Sequence, residues 1–147
     1  MDISGAWSET EAAAFLGEKT IPMRLATTTP GGGLWLVSLW YRYDDGRFEC
    51  ATSASADLLR LLREDDRVAF EVSTNKPPYM GLRGSGTASV EPDPDREVLR
   101  SLLERYLGGT DGNLAKTLLD KRREEVRITI EPERVSTWDF TERMAEA

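Results

Sequence analysis

The chain has 147 residues, enough for one domain with a substantial core, and its 39% hydrophobic and 31% charged residues are typical of folded, soluble proteins. Histidine is absent and there is one cysteine, which excludes histidine-based nucleophilic catalysis, histidine-ligated zinc, zinc held by several cysteines and an internal disulfide. The net charge of -7, with no long apolar run and no amino-terminal export signal, predicts a cytoplasmic protein that binds neither nucleic acid nor a membrane.

The first half of the chain predicts a helix followed by a meander of three strands. Ser8 and Glu11 have the spacing of a capping box, so a short helix is expected to begin at Ser8. Turn sequences rich in glycine and aspartate then separate three stretches of alternating polarity. They predict strands at residues 21–29, 34–43 and 47–52. In the first strand, one face carries Met23, Leu25 and Thr27, and the other carries Arg24, Ala26 and Thr28.

Large aromatic side chains lie on both faces of the predicted strand 34–43. One face carries Trp35, Val37, Leu39, Tyr41 and Tyr43, and the other carries Leu36, Ser38, Trp40 and Arg42. A single core can bury one of these faces, and a large exposed apolar surface is unfavourable for a soluble monomer. The other face therefore meets a partner subunit or a flat ligand, or else it lies beneath the chain's own helices.

The second half of the chain predicts three helices and three strands. A short polar loop leads from residue 52 into a helix capped by Ser55 or Asp57. The later elements are strands at 67–73, within 77–93 and at 126–140, and helices at 93–109 and 113–125. The strand at 67–73 is expected to point Val68, Phe70 and Val72 inward, and the strand at 126–140 is expected to point Val126, Ile128 and Ile130 inward. Short strands in mostly meander order, with helices between them, predict one α+β domain over residues 1–147, a six-stranded antiparallel β-barrel with flanking helices.

A polar loop before the second predicted helix is a candidate anion site. Thr52, Ser53 and Ser55 supply hydroxyl groups beside the free N–H groups of a helix start. Arg60, one turn further on, can close over a phosphate. Serine-rich loops also serve as ordinary helix caps, and that alternative stays open.

Two arginines, Arg24 and Arg83, each lie in the middle of a predicted strand. A buried arginine needs an anionic partner. That partner is either a ligand or one of the chain's many acidic residues, unless the side chain lies on the solvent-exposed face. No pair of acidic residues has a spacing that by itself indicates acid–base catalysis. Cys50 is expected to be a small buried residue.

Three glycines interrupt the predicted strand within residues 77–93. Gly81, Gly84 and Gly86 each give up a packing position, because glycine has no side chain. Glycine in a strand is typical of a bulge, a bend, or the close approach of a ligand or another stretch of backbone.

Five segments, taken in order, resemble the pyridoxamine 5'-phosphate oxidase-like split β-barrel family, which includes FMN-binding proteins and deazaflavin-dependent reductases. The segments are residues 21–32, 36–52, 62–73, 77–93 and 127–139. The similarity extends over nearly the whole chain, from about residue 7 to residue 143. No single segment is as specific as a nucleotide-binding loop motif, and the order of all five carries the resemblance.

The resemblance implies a homodimer with two cofactor sites in clefts between the subunits. The cofactor would be FMN or, alternatively, a deazaflavin coenzyme. Its phosphate end would be held by Arg24, Thr52, Ser53, Ser55 and Arg60. Its ring system would be lined by Trp40 and by the backbone of Leu25, Ala26, Thr27 and Thr28. The substrate side would be shaped by Tyr79, Arg83 and Trp138, and the three glycines would let the backbone approach the ring or the neighbouring subunit.

One segment departs from the family pattern. Many members carry an arginine and a lysine just before the helix, and the lysine binds the phosphate, whereas this chain has Ala56, Asp57 and Leu58. The phosphate site is therefore either rebuilt around Arg24 and Arg60 or weakened.

These two possibilities predict different functions. The first predicts an FMN- or deazaflavin-dependent oxidoreductase that acts on a small-molecule substrate by hydride transfer. Pyridoxamine phosphate oxidation itself is not expected, because no substrate-phosphate site can be matched. The second predicts a non-catalytic dimeric protein of the same fold, whose degenerate phosphate site binds another planar ligand.

Overall fold

The computed structural model describes residues 1–120 and 122–145 and confirms an α+β fold built on a largely antiparallel sheet. The strands are β1 (Asp2–Gly5), β2 (Met23–Thr28), β3 (Leu34–Leu39), β4 (Arg42–Asp44), β5 (Arg47–Ser53), β6 (Arg67–Ser73), β7 (Met80–Pro92) and β8 (Glu125–Asp139). The helices are α1 (Glu9–Glu18), α2 (Asp57–Glu64), α3 (Glu97–Leu107), α4 (Asn113–Leu118) and α5 (Thr141–Ala145). None of the helices described is long and apolar enough to cross a membrane.

Eight strands take the place of the six predicted. β1 was not predicted, because its four residues are too few to show an alternating pattern. It pairs in parallel with β8, from Asp2 opposite Arg134 to Gly5 opposite Thr137. The predicted strand 34–43 is interrupted at Trp40 and Tyr41, which divides it into β3 and β4.

The interruption is stabilised by side chains of other elements. The Tyr106 hydroxyl of α3 accepts from the Tyr41 N–H at 3.3 Å, so this N–H is satisfied without a strand partner. The same hydroxyl can donate to the carbonyl of Ile21 at 3.1 Å or to that of Tyr41 at 3.3 Å. The buried Tyr41 hydroxyl donates to the carbonyl of Leu16 at 3.0 Å, and Arg105 donates to the same oxygen at 2.7 Å. Polar contacts with α1 and α3 therefore replace sheet bonds at this point.

Because of the break at Trp40 and Tyr41, consecutive residues of the chain can belong to the two ends of the sheet. The sheet order is β3-β2-β6-β7-β8-β5-β4, so β3 and β4, which are adjacent in sequence, lie at opposite ends. The long strand β8 pairs with β7 along one edge and with β5 and then β1 along the other. It thus joins the two halves of the sheet.

The barrel interior follows the predicted alternation. Met23, Leu25 and Thr27 of β2 are buried, as are Val68, Phe70 and Val72 of β6. Ile128 and Ile130 of β8 are fully buried, and Val126 is half-buried against the same core. A second, smaller core beneath α3 and α4 contains Leu99, Leu103 and Ala115, with Trp40 packed against it.

The glycines of β7 are explained by close approaches of backbone within the chain and by a bulge, which were among the roles expected, and their role beside a ring or a second subunit stays a prediction. A Cβ atom at Gly84 would overlap the Arg134 carbonyl and lie 2.8 Å from the Phe70 Cζ atom. A Cβ atom at Gly81 would overlap the backbone of Val72 and the side chain of Ser73. Gly86 faces the backbone at residues 131 and 132, where a β-bulge shifts the β7–β8 register.

The helix starts and ends differ from expectation in four places. The capping box at Ser8 and Glu11 is present, but the cap of α2 is Ala56, which makes no side-chain hydrogen bond. A 3₁₀ turn, Pro94–Arg96, precedes α3, and the buried Asp93 carboxylate accepts from the N–H groups of Val98 and Leu99. The predicted helix 113–125 ends at Leu118 as α4, and its position 121 lies outside the described residues. The short α5 was not predicted.

The one cysteine, Cys50, is fully buried in β5, as expected. Burial raises the pKa of its thiol, so little thiolate forms in the folded protein. We expect labelling by iodoacetamide to be on the order of 100-fold slower in the native protein than in denaturant, because reaction requires the barrel to open. Mass spectrometry of timed samples measures the two rates, and equal rates would contradict the packing of β5.

Candidate ligand-binding cleft

A row of polar side chains crosses the outer face of the sheet. The register places Ser38 of β3 opposite Arg24 of β2, Arg24 opposite Glu71 of β6, and Glu71 opposite Arg83 of β7. Ser136 of β8 completes the row beside Arg83. Neighbouring strands are separated by about 4.8 Å, so the backbones at Arg24 and Arg83 lie about 10 Å apart.

The adjacent row provides a flatter, more apolar floor. It consists of Leu36, Ala26, Ala69, Ser85 and Arg134, again one residue from each of five strands. Together the two rows form a cleft of about 530 Å³, hereafter the outer cleft, within the range of small-molecule sites. Its lining residues are Arg24, Ala26, Leu36, Ala69, Phe70, Glu71, Arg83, Gly84, Ser85, Arg134 and Ser136, all of them from strands.

The outer cleft is lined by three arginines and one glutamate, so its net charge is positive. In the described part of the chain, the Arg24 Nη1 atom is buried without a hydrogen-bond partner. Arg42, by contrast, lies 2.8 Å from Glu97, which shows how the chain pairs arginines whose role is structural. Glu71, the acidic residue of the outer cleft, accepts instead from the Ser73 hydroxyl at 2.8 Å. No acid of the described residues pairs with Arg24, whose side chain as a whole is only half-buried, so a ligand anion stays a prediction.

Arg83 is held in place by an aromatic ring. Its guanidinium carbon lies 4.4 Å from the centre of the Trp138 ring, on the same outer face. Tyr79 is exposed at the end of β7, where its N–H donates to the Met144 sulfur at 3.2 Å. The structure therefore joins Arg83 and Trp138 directly, with Tyr79 near the same end of the sheet.

The other predicted residues of β2 offer few side-chain atoms to the outer cleft. Leu25 and Thr27 point into the barrel, and Ala26 points into the outer cleft. Residues 24–26 pair with β3 on one side and β6 on the other, so their backbone groups are engaged in the sheet. The Thr28 hydroxyl donates to Asp65 at 3.0 Å.

Trp40 and Thr52 line a second cleft, hereafter the helical cleft, of about 260 Å³ beneath α3 and α4. The Trp40 ring stacks on Tyr106 at 5.1 Å with an interplanar angle of 7°. Ser38 lines the helical cleft and pairs with Arg24, so the two clefts adjoin at this residue. Four of the predicted cofactor residues thus line two neighbouring clefts, Arg24 and Ala26 in one and Trp40 and Thr52 in the other, and the remaining six line neither.

The loop before α2 is arranged around its own serines. The Ser53 and Ser55 hydroxyls lie 2.9 Å apart, and the Ser55 N–H donates to Ser53. The Leu58 side chain is buried in the barrel core, while Asp57 and Arg60 are exposed on α2. An exposed carboxylate therefore stands at the start of this helix.

Arg134 is a lining residue that sequence reasoning missed. Counting alternate residues from Ile128 and Ile130 would point Arg134 into the barrel. The bulge opposite Gly86 adds one residue to β8 and reverses the alternation, so Arg134 faces outward and Val135 inward. Pro132 within a strand, together with Gly86, was the available signal.

Glu125, at the edge of the helical cleft, is a buried acid that was also missed. Its side chain is 2% exposed, and its Oε1 atom lies 3.2 Å from Arg123 without the angle of a hydrogen bond. Burial raises the pKa of this carboxyl group above its ordinary value, and the charge of Arg123 only partly opposes the shift.

This shift predicts a pH dependence of stability. The folded protein binds the Glu125 proton up to a higher pH than the unfolded chain does, so stability falls as the pH rises from about 4.3 through the folded-state pKa. Glu125→Gln cannot ionise and is expected to remove this fall. Urea unfolding at a series of pH values measures this fall in the free energy of unfolding. Glu124→Gln, at an exposed position, is the matched control. Parallel profiles for Glu125→Gln and the wild type would contradict the assignment.

No protein-family profile and no curated protein sequence matches the chain. Solved structures do match. A conserved hypothetical protein from Mycobacterium tuberculosis has a TM-score of 0.76 and 28% identity, with 91% of this chain and 86% of that chain covered. An F420 reductase has a TM-score of 0.71 and 23% identity, covering 83% and 94%. A candidate pyridoxamine 5'-phosphate oxidase from Listeria innocua has a TM-score of 0.67 and 17% identity, covering 88% and 96%.

This chain has the pyridoxamine 5'-phosphate oxidase-like split-barrel fold. The resemblance of the five sequence segments is thereby confirmed at the level of fold. In this split barrel, the outer cleft combines an apolar floor with arginines that lack acidic partners within residues 1–120 and 122–145. Within the same residues, no group of three or more acidic or cysteine side chains is arranged to hold a metal ion.

Proposed function

We propose that this split barrel binds FMN or a deazaflavin coenzyme in the outer cleft and acts as an oxidoreductase on a small molecule. The observation that carries the proposal is the buried, unpartnered Nη1 atom of Arg24 beside an apolar floor. A buried N–H group without an acceptor is costly, and an anionic ligand that accepts from this nitrogen would remove that cost. The F420 reductase among the similar structures supports a coenzyme of this class.

The residues of the outer cleft fit such a coenzyme by chemistry and shape. Arg24 would bind its anionic end through charge-assisted hydrogen bonds. The small side chains of Ala26 and Ala69 would let a flat ring lie close against the sheet. When bound, the coenzyme would supply hydride transfer, which this chain has no side chains to perform.

A homodimer would complete the outer cleft. Its lining belongs entirely to strands, so one chain provides a floor and no facing wall. Beside it, the edge strand β3 exposes 81% of Leu34 and 68% of Leu36 on the same outer face. A second copy packed on this face would remove apolar surface from water and exclude solvent from the coenzyme.

The anionic end would lie at Arg24 rather than at the start of α2. The Leu58 side chain is buried in the barrel core. Asp57 is exposed at the helix start, where its carboxylate would repel a phosphate. The same two residues also favour the alternative function, a non-catalytic dimer that binds a different planar ligand. In that case neither coenzyme would bind with useful affinity.

Titration of the purified protein separates the two functions. The visible spectrum is recorded first, and FMN and the deazaflavin are then added while fluorescence is followed. Saturable binding at micromolar concentrations, with a dimer by light scattering, is the result expected for the oxidoreductase. Failure of both coenzymes to bind leaves the non-catalytic function, and a strictly monomeric protein would overturn the shared cleft.

A further inference from the structure

Arg83 presents its hydrogen-bond donors to the outer cleft. The Arg83 guanidinium carbon lies 4.4 Å from the centre of the Trp138 ring, a cation–π contact that uses none of its N–H groups as hydrogen-bond donors. None of the hydrogen bonds or ion pairs described within residues 1–120 and 122–145 involves these N–H groups. The donors are therefore oriented by the ring and available to a ligand.

A second free arginine lies on the same face. Arg134 pairs with Ser85, and Ser136, two residues further along β8, pairs with Arg83. Arg83 and Arg134 are thus diagonal neighbours across β7 and β8, within reach of one ligand group. Asp2 of β1 lies beside Arg134 in the register, but the two side chains form no ion pair within 4 Å.

Glu71 separates these two arginines from Arg24. It lies between Arg24 and Arg83 in the row, and its carboxylate is directed to Ser73. The outer cleft therefore presents cationic groups on both sides of Glu71, with Arg24 on one side and Arg83 and Arg134 on the other.

We propose that Arg83, Trp138 and Arg134 form a subsite for the carboxylate of a planar, conjugated acid. A carboxylate bound to both forward N–H groups of an arginine lies in the guanidinium plane. In a conjugated acid the ring shares that plane, so it would extend from Arg83 into the outer cleft, whose floor includes Ser85 and Ala69. As a substrate subsite this assignment rests on the proposed function, whereas binding of the carboxylate itself does not require the coenzyme.

The test uses the full chain without added coenzyme and 4-nitrobenzoate as the probe. Calorimetry gives its affinity, and quenching of tryptophan fluorescence reports proximity to Trp138. The wild type is expected to bind 4-nitrobenzoate at least about tenfold more tightly than the uncharged 4-nitrobenzamide, since a hydrogen bond between two charged groups is stronger than one to a neutral group. Trp138→Phe is expected to remove most of the quenching.

Variants locate the subsite. Arg83→Gln and Arg134→Gln are each expected to weaken 4-nitrobenzoate binding about tenfold or more and to leave 4-nitrobenzamide binding unchanged. Arg100→Gln, an exposed arginine on α3 outside the outer cleft, is the matched control and is expected to bind as the wild type does. Equal affinity for the acid and the amide, or wild-type affinity in Arg83→Gln, would overturn the proposal.

The coenzyme titration distinguishes this proposal from the proposed function. Arg83→Gln is expected to retain wild-type affinity for FMN or the deazaflavin. If the wild type bound 4-nitrobenzoate at Arg83 but neither coenzyme, the subsite would stand and the oxidoreductase would fail. If a coenzyme bound and 4-nitrobenzoate did not, the subsite would fail alone.

Discussion

Arg24→Ala is expected to weaken coenzyme binding by about 10- to 100-fold while the protein stays folded. The Arg24 side chain would donate charge-assisted hydrogen bonds to the anionic end of the coenzyme, and such contacts contribute about 1.5–3 kcal/mol. Without a ligand, its Nη1 atom is buried and unpartnered, so its removal is expected to leave the melting temperature of the free protein unchanged or higher. Fluorescence titration gives the dissociation constants, and thermal melting of the free protein gives the stability.

The control for this variant is Arg63→Ala, which removes the same charge from an exposed position on α2. Its coenzyme affinity is expected to equal that of the wild type, because Arg63 does not line the outer cleft. The net charge of the chain changes equally in both variants, so a difference between them reports position and not overall charge. Arg60→Ala belongs in the same series: unchanged affinity would remove Arg60 from the site. If Arg24→Ala bound the coenzyme as tightly as Arg63→Ala does, the anion would not lie in the outer cleft.

Gly84→Ala is expected to destabilise the fold by about 3 kcal/mol, or to prevent folding. The added Cβ atom would overlap the Arg134 carbonyl and lie 2.8 Å from Phe70 Cζ. The carbonyl belongs to the backbone of β8, so it cannot rotate aside as a flexible side chain could, and Phe70 is confined within the core. Urea unfolding followed by circular dichroism measures the change in the free energy of unfolding.

Gly17→Ala provides the matched comparison for Gly84→Ala. Gly17 lies in α1, and a Cβ atom built there has no atom within 4 Å. Alanine in a helix is favoured over glycine by about 0.5–1 kcal/mol, so Gly17→Ala is expected to be neutral or stabilising. Equal stability of the two variants would show that β7 and β8 can move apart at no cost, contrary to the packing described.

Alternation along the strands was enough to predict most of the barrel interior. The inward residues of β2 and β6 follow a period of two without interruption, and each is buried as predicted. The pattern failed where the backbone departs from a regular strand. At Tyr41, bonds to Tyr106 take the place of a sheet partner, and this contact spans 65 residues, so no local pattern could reveal it.

The candidate site was partly accessible to the same reasoning. Arg24 and Arg83 were conspicuous because arginine is unusual in mid-strand, and the register brings both into one cleft. Arg134 was not predicted, because the bulge in β8 reverses which residues face outward. Trp40 and Thr52 were expected beside Arg24, but α3 and α4 cover that part of the sheet and enclose them in the helical cleft.

The position of β8 between β7 and β5 also constrains how the chain acquires its fold during synthesis. β8 begins at Glu125, so every earlier strand leaves the ribosome before the strand that joins the two halves. Until then β5 and β7 have unpaired edges and β1 has no partner, which exposes the nascent chain to association with its neighbours. Barrel closure is therefore a late, long-range event, of the kind that makes topologies of high contact order fold slowly.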